Sequence, residues 1–307
     1  MFIVEYILRD WGDDEMKKFE LSKIGLGTWL LGGDINENVN NDDVKDINAI
    51  RYAIINGISH IDTSESYSGG KSEKLVGEAI KVFDRKKVFI ATKVREWNLS
   101  YDNIIKSCLK SLERLQTNYI DLYYIHKQNK EYKIKDICQA LNYLLEKGLI
   151  KNVGLSNVGI ETIKEYNIYL SKKVFAVQNQ YNLICRESQK KGIIKYCRQN
   201  NIKFVCWRPL LLSYPNCKDP MYRNETYPIL DKVAKKYSAS NIQIAAKWLL
   251  YQDNVYIIFK SNNCDHIKEI LDTKKIKLSD EDWKDLNENF PIMFDVGCST
   301  NEFYEVE

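Results

Sequence analysis

The feature that most constrains this chain is an eightfold alternation of short β-rich runs with helical patterns. The runs are Lys23–Gly27, Ser59–Asp62, Lys87–Lys93, Tyr119–His126, Asn152–Ser156, Val174–Gln178, Lys203–Trp207 and Val255–Lys260. Between them, apolar residues recur near the helical period of 3.6. Leu75, Val76, Ala79, Ile80 and Phe83 form one such stripe, and Ile104, Ile105, Cys108, Leu109, Leu112 and Leu115 another. A third runs through Ile137, Leu141, Leu144 and Leu145 to Gly148, which reads as the glycine just past a helix end. Regular strand–helix alternation predicts a parallel sheet, and eight repeats predict its closure into a (β/α)₈ TIM barrel. An open doubly wound sheet is the alternative. One extra helix is expected over Asp280–Phe290. Three of the five prolines fall between Ser213 and Pro228, a length that reads as a binding loop or lid rather than a bare connection.

Several quick labels fail on their own chemistry. Gly70-Lys71-Ser72 opens an apolar-periodic helix like the tail of a phosphate-binding loop, but the required earlier glycine is Glu65, whose carboxylate would repel phosphate. Asp34, Asn36 and Asn38 begin like a calcium loop, yet Val39 stands where its glycine is needed and Lys45 where its closing Glu is needed. Gly25 and Gly27 lack the third glycine of a Rossmann fingerprint, since Leu30 occupies that place. With 45 basic against 42 acidic residues, the charge balance gives no support to nucleic-acid or anionic-membrane binding. Lysine pairs such as Lys86-Lys87 and Lys235-Lys236 read as solvated helix faces. Eight cysteines show no C-x-x-C spacing, and Cys108, Cys138 and Cys206 read as small core residues. No run of 18 apolar residues is present, and the opening segment lacks the basic region of a signal peptide, so a cytoplasmic location is expected.

In a barrel of this kind, chemistry gathers at the carboxyl ends of the strands. Strand two ends in Asp62 with Tyr67 in the loop beyond, strand three in Lys93, and strand four in His126. Each alone has an ordinary explanation: a helix cap, a packing tyrosine, a solvated lysine, a satisfied histidine. Together at consecutive strand ends they make chemical sense. A phenol titrates near pH 10 and is a weak catalyst at neutrality. A neighbouring ammonium favours its phenolate, and a carboxylate keeps that ammonium charged and in place. An imidazole can hold a substrate oxygen. The set suits proton delivery to a carbonyl oxygen while hydride from a bound cofactor attacks the carbon. With three histidines in all, a zinc site is not expected.

At these residues the sequence resembles the aldo-keto reductase superfamily, from about residue 18 to residue 289. The motifs are "IGLGTW", "GISHIDTSESY", "KVFIATKV", "SLERLQTNYIDLYYIH", "VGLSN", "VQNQYNL", "WRPL" and "FKSNNCDHIKEI". The resemblance implies a (β/α)₈ barrel that reduces aldehydes and ketones with a nicotinamide cofactor, usually NADPH. It makes Tyr67 the general acid, Lys93 the group that lowers its pKa, Asp62 the partner of Lys93, and His126 the group that orients the carbonyl. Ser156, Asn157 and Gln178 would hold the cofactor carboxamide, and Trp207 would stack on the nicotinamide. Gly27 and Thr28 would approach the cofactor, and Trp29 would line the substrate pocket. In "WRPL", Arg208, Pro209 and Leu210 follow the stacking ring, with Arg208 either at the pyrophosphate or in a structural ion pair. Lys260, Ser261, His266 and Glu269 fall where the family holds the adenosine 2′-phosphate.

Two departures stand out. His266 replaces an expected Arg, which keeps NADPH as the expected cofactor through Lys260 but leaves NADH as a second choice. Lys127-Gln128 follow His126 where a Trp or Arg and then a Pro are common, which alters the substrate pocket. The family pattern starts near Met16, so the whole chain, 1–307, reads as one domain: an N-terminal extension or hairpin (1–15), the barrel (16–289) and a tail (290–307). The expected partner is a small-molecule carbonyl substrate. A cofactor-binding regulatory protein like the potassium-channel β subunits of the same superfamily is the alternative, and a barrel enzyme without nicotinamide a third.

Overall fold

The computed structural model describes residues 21–212 and 227–290. The expected extension or hairpin (1–15), most of the Ser213–Pro228 insertion and the tail after Phe290 lie outside the described residues. Eight parallel strands close into one barrel in sequence order. They are β1 Ile24–Gly27, β2 His60–Asp62, β3 Phe89–Val94, β4 Ile120–Ile125, β5 Ile150–Ser156, β6 Ala176–Gln180, β7 Lys203–Trp207 and β8 Val255–Lys260. Each lies within two residues of its expected bounds, and β1 closes on β8 with Gly27 opposite Lys260. The helices around it are α1 Asp43–Ile55, α2 Lys71–Ile80, α3 Tyr101–Leu115, α4 Ile134–Glu146, α5 Ile160–Tyr169, α6 Glu187–Lys190, α7 Ile193–Gln199, α8 Pro228–Lys236, α9 Asn241–Leu250 and α10 Cys264–Asp272. The extra helix, α11, covers Asp280–Asn289, as expected.

The strands are buried on both faces, and their period of two divides the core into two clusters. Phe89, Ala91, Leu122, Tyr124, Ala176, Val205 and Ile258 fill the barrel interior. Their alternates, among them Ile61, Ile90, Tyr123, Leu155, Val177, Phe204 and Ile257, join helix residues such as Ile50, Ile104, Leu141 and Trp248 in the larger layer outside. Two glycines make room for large interior side chains. A Cβ on Gly25 would stand 2.5 Å from His60 Nδ1, and one on Gly154 would stand 2.4 Å from the Tyr124 ring. Cys108, Cys138 and Cys206 are core residues, as read.

Caps behave as their residue types demand. Ser100 accepts from the Asn103 amide at the start of α3, and Ser240 and Gln243 form a reciprocal capping box on α9. Gly148 takes φ +69° past α4, where Leu149 N–H closes back on the Leu144 carbonyl at 3.0 Å. Helix α11 is latched by Arg186, 2% exposed, whose guanidinium donates to the carbonyls of Leu286 at 2.9 Å and Asn287 at 2.6 Å. Among the described residues, no helix is long and apolar enough to cross a membrane.

Candidate active site

The interior parity that places Phe89, Ala91 and Tyr124 inside the barrel also sets its top layer. Continuing two residues further along each strand brings Gly27, Asp62, Lys93, Ser156, Gln178, Trp207 and Lys260 to the carboxyl rim. His126 stands one residue past β4 with its amide bonded to Val94 O at 2.9 Å. Tyr67 begins a short 3₁₀ turn, Tyr67–Gly70, in which Ser68 (φ +51°) and Gly69 (φ +62°) turn the chain back toward the barrel.

The four residues expected to act together meet here. Lys93 is fully buried and spends its three N–H donors on Asp62 Oδ1 at 2.5 Å, Thr63 O at 2.8 Å and the Tyr67 hydroxyl at 3.3 Å. Asp62 is anchored through its other oxygen by Gln178 Nε2 at 2.8 Å, a bond that spans the barrel mouth from β6 to β2. The Tyr67 and His126 rings stand edge to face, with centroids 6.0 Å apart and planes at 78°. His126 Nδ1 faces Ser64 Oγ at 3.3 Å.

The electrostatics correct one expectation. Burial drives the Tyr67 phenol above its ordinary value, and the Lys93 charge, which pulls it down as anticipated, only partly offsets that. Tyr67 is therefore protonated at neutral pH. Burial also works against the Lys93 charge, but Asp62 and Tyr67 outweigh it and hold the ammonium above the ordinary lysine value. His126 is driven well below 6.5 by burial and by the positive charges of Lys93 and Arg95, so its imidazole is neutral. The rim thus offers one neutral phenol O–H beside a fixed cation, and one neutral imidazole.

A cavity of about 540 Å³ opens over these groups. Of the residues expected at the cofactor and substrate, Gly27, Trp29, Asp62, Tyr67, His126, Ser156, Asn157, Gln178, Trp207, Arg208, Pro209, Leu210 and Lys260 line it. Thr28 lies just behind, buried, with its amide on Asp62 O at 2.9 Å. Asn157 proves to be a brace. It holds φ +58°, donates to His126 O and Ser156 Oγ at 3.1 Å each, and accepts from Trp207 Nε1 at 2.9 Å, fixing the indole plane. Arg208 packs its guanidinium 5.5 Å from the centres of both Trp29 and Trp207. No carboxylate among the described residues pairs with it. Ser261, His266 and Glu269 are not in the cavity wall. His266 is exposed on α10, and Glu269 Oε1 accepts from the hydroxyl of Ser240, the N-cap of α9.

A family model described as "Aldo/keto reductase family" matches residues 23–289. The chain belongs to the aldo/keto reductase family. It is 30% identical to the aldo-keto reductase YhdN of Bacillus subtilis, over 87% of this chain and 89% of that one. A thermostable aldo-keto reductase solved with the inhibitor epalrestat is 32% identical, with a TM-score of 0.81 over 89% of this chain and 96% of that one. An aldo-keto reductase from Klebsiella pneumoniae, solved in complex with NADPH, is 26% identical, with a TM-score of 0.78 over 89% of this chain and 92% of that one.

This aldo-keto reductase is thus a carbonyl-reducing oxidoreductase, and its site contains residues that the motif reading passed over. Arg95 also lines the cavity, and Ser64 touches His126. Both were within reach of the period-two rule: Arg95 follows Lys93 by two residues, and Ser64 follows Asp62 by two. Leu30, at φ +68°, and Leu211 complete the apolar wall, and nothing in their sequence neighbourhood marks them. Downstream, Gln128 accepts from the Tyr166 hydroxyl at 2.8 Å, a bond unavailable to the Pro common at that place.

Proposed function

We propose that this aldo-keto reductase reduces an aldehyde or ketone to the alcohol with NADPH, and that Tyr67 is the general acid. The reading rests above all on the Lys93–Tyr67 contact. An ammonium has no acceptor capacity, so it must donate to the phenol oxygen at 3.3 Å, which leaves the phenolic proton directed elsewhere. A carbonyl oxygen seated between the Tyr67 hydroxyl and the His126 ring would receive that proton as negative charge develops on it. The phenolate left behind would be held by the Lys93 ammonium, itself fixed by Asp62 and Thr63. Neutral His126 would donate one hydrogen bond to the same oxygen and orient it.

The residues present fit a nicotinamide dinucleotide. The indole of Trp207 is locked by Asn157 and offers a fixed stacking face. Arg208 and Lys260 are cations in the cavity wall without a carboxylate partner among the described residues, which suits the phosphates of a bound dinucleotide. Thr28 Oγ1 is buried beside the site with no hydrogen-bond partner among the described residues. When bound, NADPH supplies the hydride. Lys260 favours the 2′-phosphate, while exposed His266 adds no permanent charge, so NADH is the second choice.

The test is Tyr67→Phe assayed against a panel of aldehydes and ketones. Turnover should fall by about 10²–10⁴-fold while quenching of tryptophan fluorescence by NADPH is retained. Unchanged turnover would remove Tyr67 from the role, and cofactor binding without turnover by the unsubstituted protein would favour a cofactor-sensing function instead.

A further inference from the structure

A second cavity, of about 310 Å³, lies between α3 and the loop that carries Tyr67, and Arg95 lines both cavities. Its wall carries Arg95, Lys106, Lys110 and Arg114 against one carboxylate, Glu65. Asn103, Lys106, Ser107, Lys110 and Arg114 form a single stripe along α3, because residues three and four apart share a helix face.

The charges in this wall differ in kind. Arg114 is paired with buried Glu73 at 2.6 Å, and Arg95 with Glu96 at 3.2 Å. Glu65 Oε1 accepts from the Arg95 amide at 2.8 Å and from Asn98 Nδ2 at 3.0 Å. Lys106 and Lys110 have no ion pair among the described residues, although Asp102 and Glu113 stand at pairing positions on the same helix.

Lysines on the other helices are treated both ways: Lys74 and Lys235 likewise make no ion pair among the described residues, with Glu78 and Asp231 four residues away. Lys81, Lys164, Lys191, Lys268, Lys275 and Lys284 each meet a carboxylate three or four residues away. A like-charged pair at this spacing is mildly destabilising, by about 0.2–0.5 kcal/mol in an isolated helix. Here the pair borders a concavity supplied with further donors from Ser66 and Asn103.

We propose that this cavity is an anion subsite of the active site, and that the carbonyl substrate carries an anionic end, a phosphate monoester in particular. The proposal rests on the carbonyl-reductase reading above. The carbonyl would lie at Tyr67 and His126, the chain would pass Arg95, and the phosphate would be bound by Lys106 and Lys110 with Arg95. Trp97, stacked under Arg95 with the guanidinium carbon 4.3 Å from its ring centre, sits in the same wall and reports on it.

The experiment compares glycolaldehyde phosphate, glyceraldehyde 3-phosphate and erythrose 4-phosphate, each with its unphosphorylated parent. It uses the unsubstituted reductase, the Lys106→Gln/Lys110→Gln double variant, and Lys81→Gln as a control on a paired surface lysine. At least one phosphorylated aldehyde should be preferred by kcat/KM over its parent. In the double variant that ratio should fall by about 100-fold, roughly tenfold for each lost charge-assisted bond, and in the control it should hold. Inorganic phosphate should also change the tryptophan fluorescence saturably, with the response lost in the double variant and in Trp97→Phe. Equal ratios in all three proteins, or no saturable phosphate response, overturn the subsite while leaving carbonyl reduction standing. Absence of turnover on every carbonyl overturns the functional reading, and the phosphate titration then still decides whether the anion site exists.

Discussion

The Lys93 ammonium lies 3.3 Å from the Tyr67 hydroxyl oxygen and can act there only as a donor. Its other two protons are taken by Asp62 Oδ1 and Thr63 O, so the ammonium cannot swing away without abandoning a buried carboxylate. The phenol is consequently polarised from one side and keeps its proton for the other. Burial adds a second effect by resisting ionisation of Tyr67 in the resting site. Acid strength is then expressed chiefly when negative charge appears on a neighbouring oxygen, which is when a reductase needs it.

This arrangement predicts an asymmetric pH dependence. With Tyr67 as the proposed acid, reduction would require the phenol, whose pKa is raised above 10, so kcat for reduction should be flat through neutrality and fall only in the alkaline range. Oxidation of the alcohol requires the phenolate and should rise over that same range. His126 is already neutral, so neither direction should show a break near the ordinary histidine value of 6.5. Initial rates in both directions from about pH 6 to about pH 10.5 check this. A break in kcat near 6.5 would mean that a titrating imidazole, rather than Tyr67, controls the step.

Removing one member of the buried pair should be costly to folding as well as to catalysis. Lys93 and Asp62 are 0% and 1% exposed, so Lys93→Met strands a buried carboxylate whose remaining partner among the described residues is Gln178. Loss of about 3–5 kcal/mol is expected from urea unfolding. Asp62→Asn combined with Lys93→Met removes both charges and should cost less than the sum of the two single changes. Additive costs would show that the ion pair is not the element that matters.

Much of this site was legible because one rule governs it. Alternation fixes which residues of each strand face inward, and eight repeats fix the closure, so Asp62, Lys93, Ser156, Gln178, Trp207 and Lys260 could be placed on one rim from their positions at strand ends. Arg95 and Ser64 obey the same rule, two residues past Lys93 and Asp62, but lie beyond the strand ends. What alternation does not carry is partner choice beyond the strands. Glu269 reaches Ser240 instead of the cavity, and Asn157 turns into the protein at φ +58°, because helix caps and left-handed turns depend on contacts between distant segments. The net direction of the Tyr67 shift was likewise hidden. A sequence displays the neighbouring charge but not the depth of burial that outweighs it.

Below the catalytic layer, His60 makes the folded state sensitive to acid. Its ring is fully buried against Phe89, and both nitrogens lack a hydrogen-bond partner among the described residues. Burial, with the Lys93 charge adding to it and Asp62 opposing, lowers its pKa from 6.5 to about 4. Between those values the unfolded chain binds a proton that the folded protein refuses. Stability from this group is therefore fully present above about pH 6.5 and is lost as pH falls toward about 4, at most about 1.4 kcal/mol per pH unit and about 3 kcal/mol in all. His126 is shifted in the same direction and adds to the slope. His60→Met replaces the imidazole with a flexible apolar chain that can follow the cavity left behind. Its unfolding free energy, measured in urea from about pH 4.5 to about pH 7, should depend on pH less steeply than the parent by about one proton's worth. Parallel curves for the two proteins would show that His60 takes up its proton without cost to the fold.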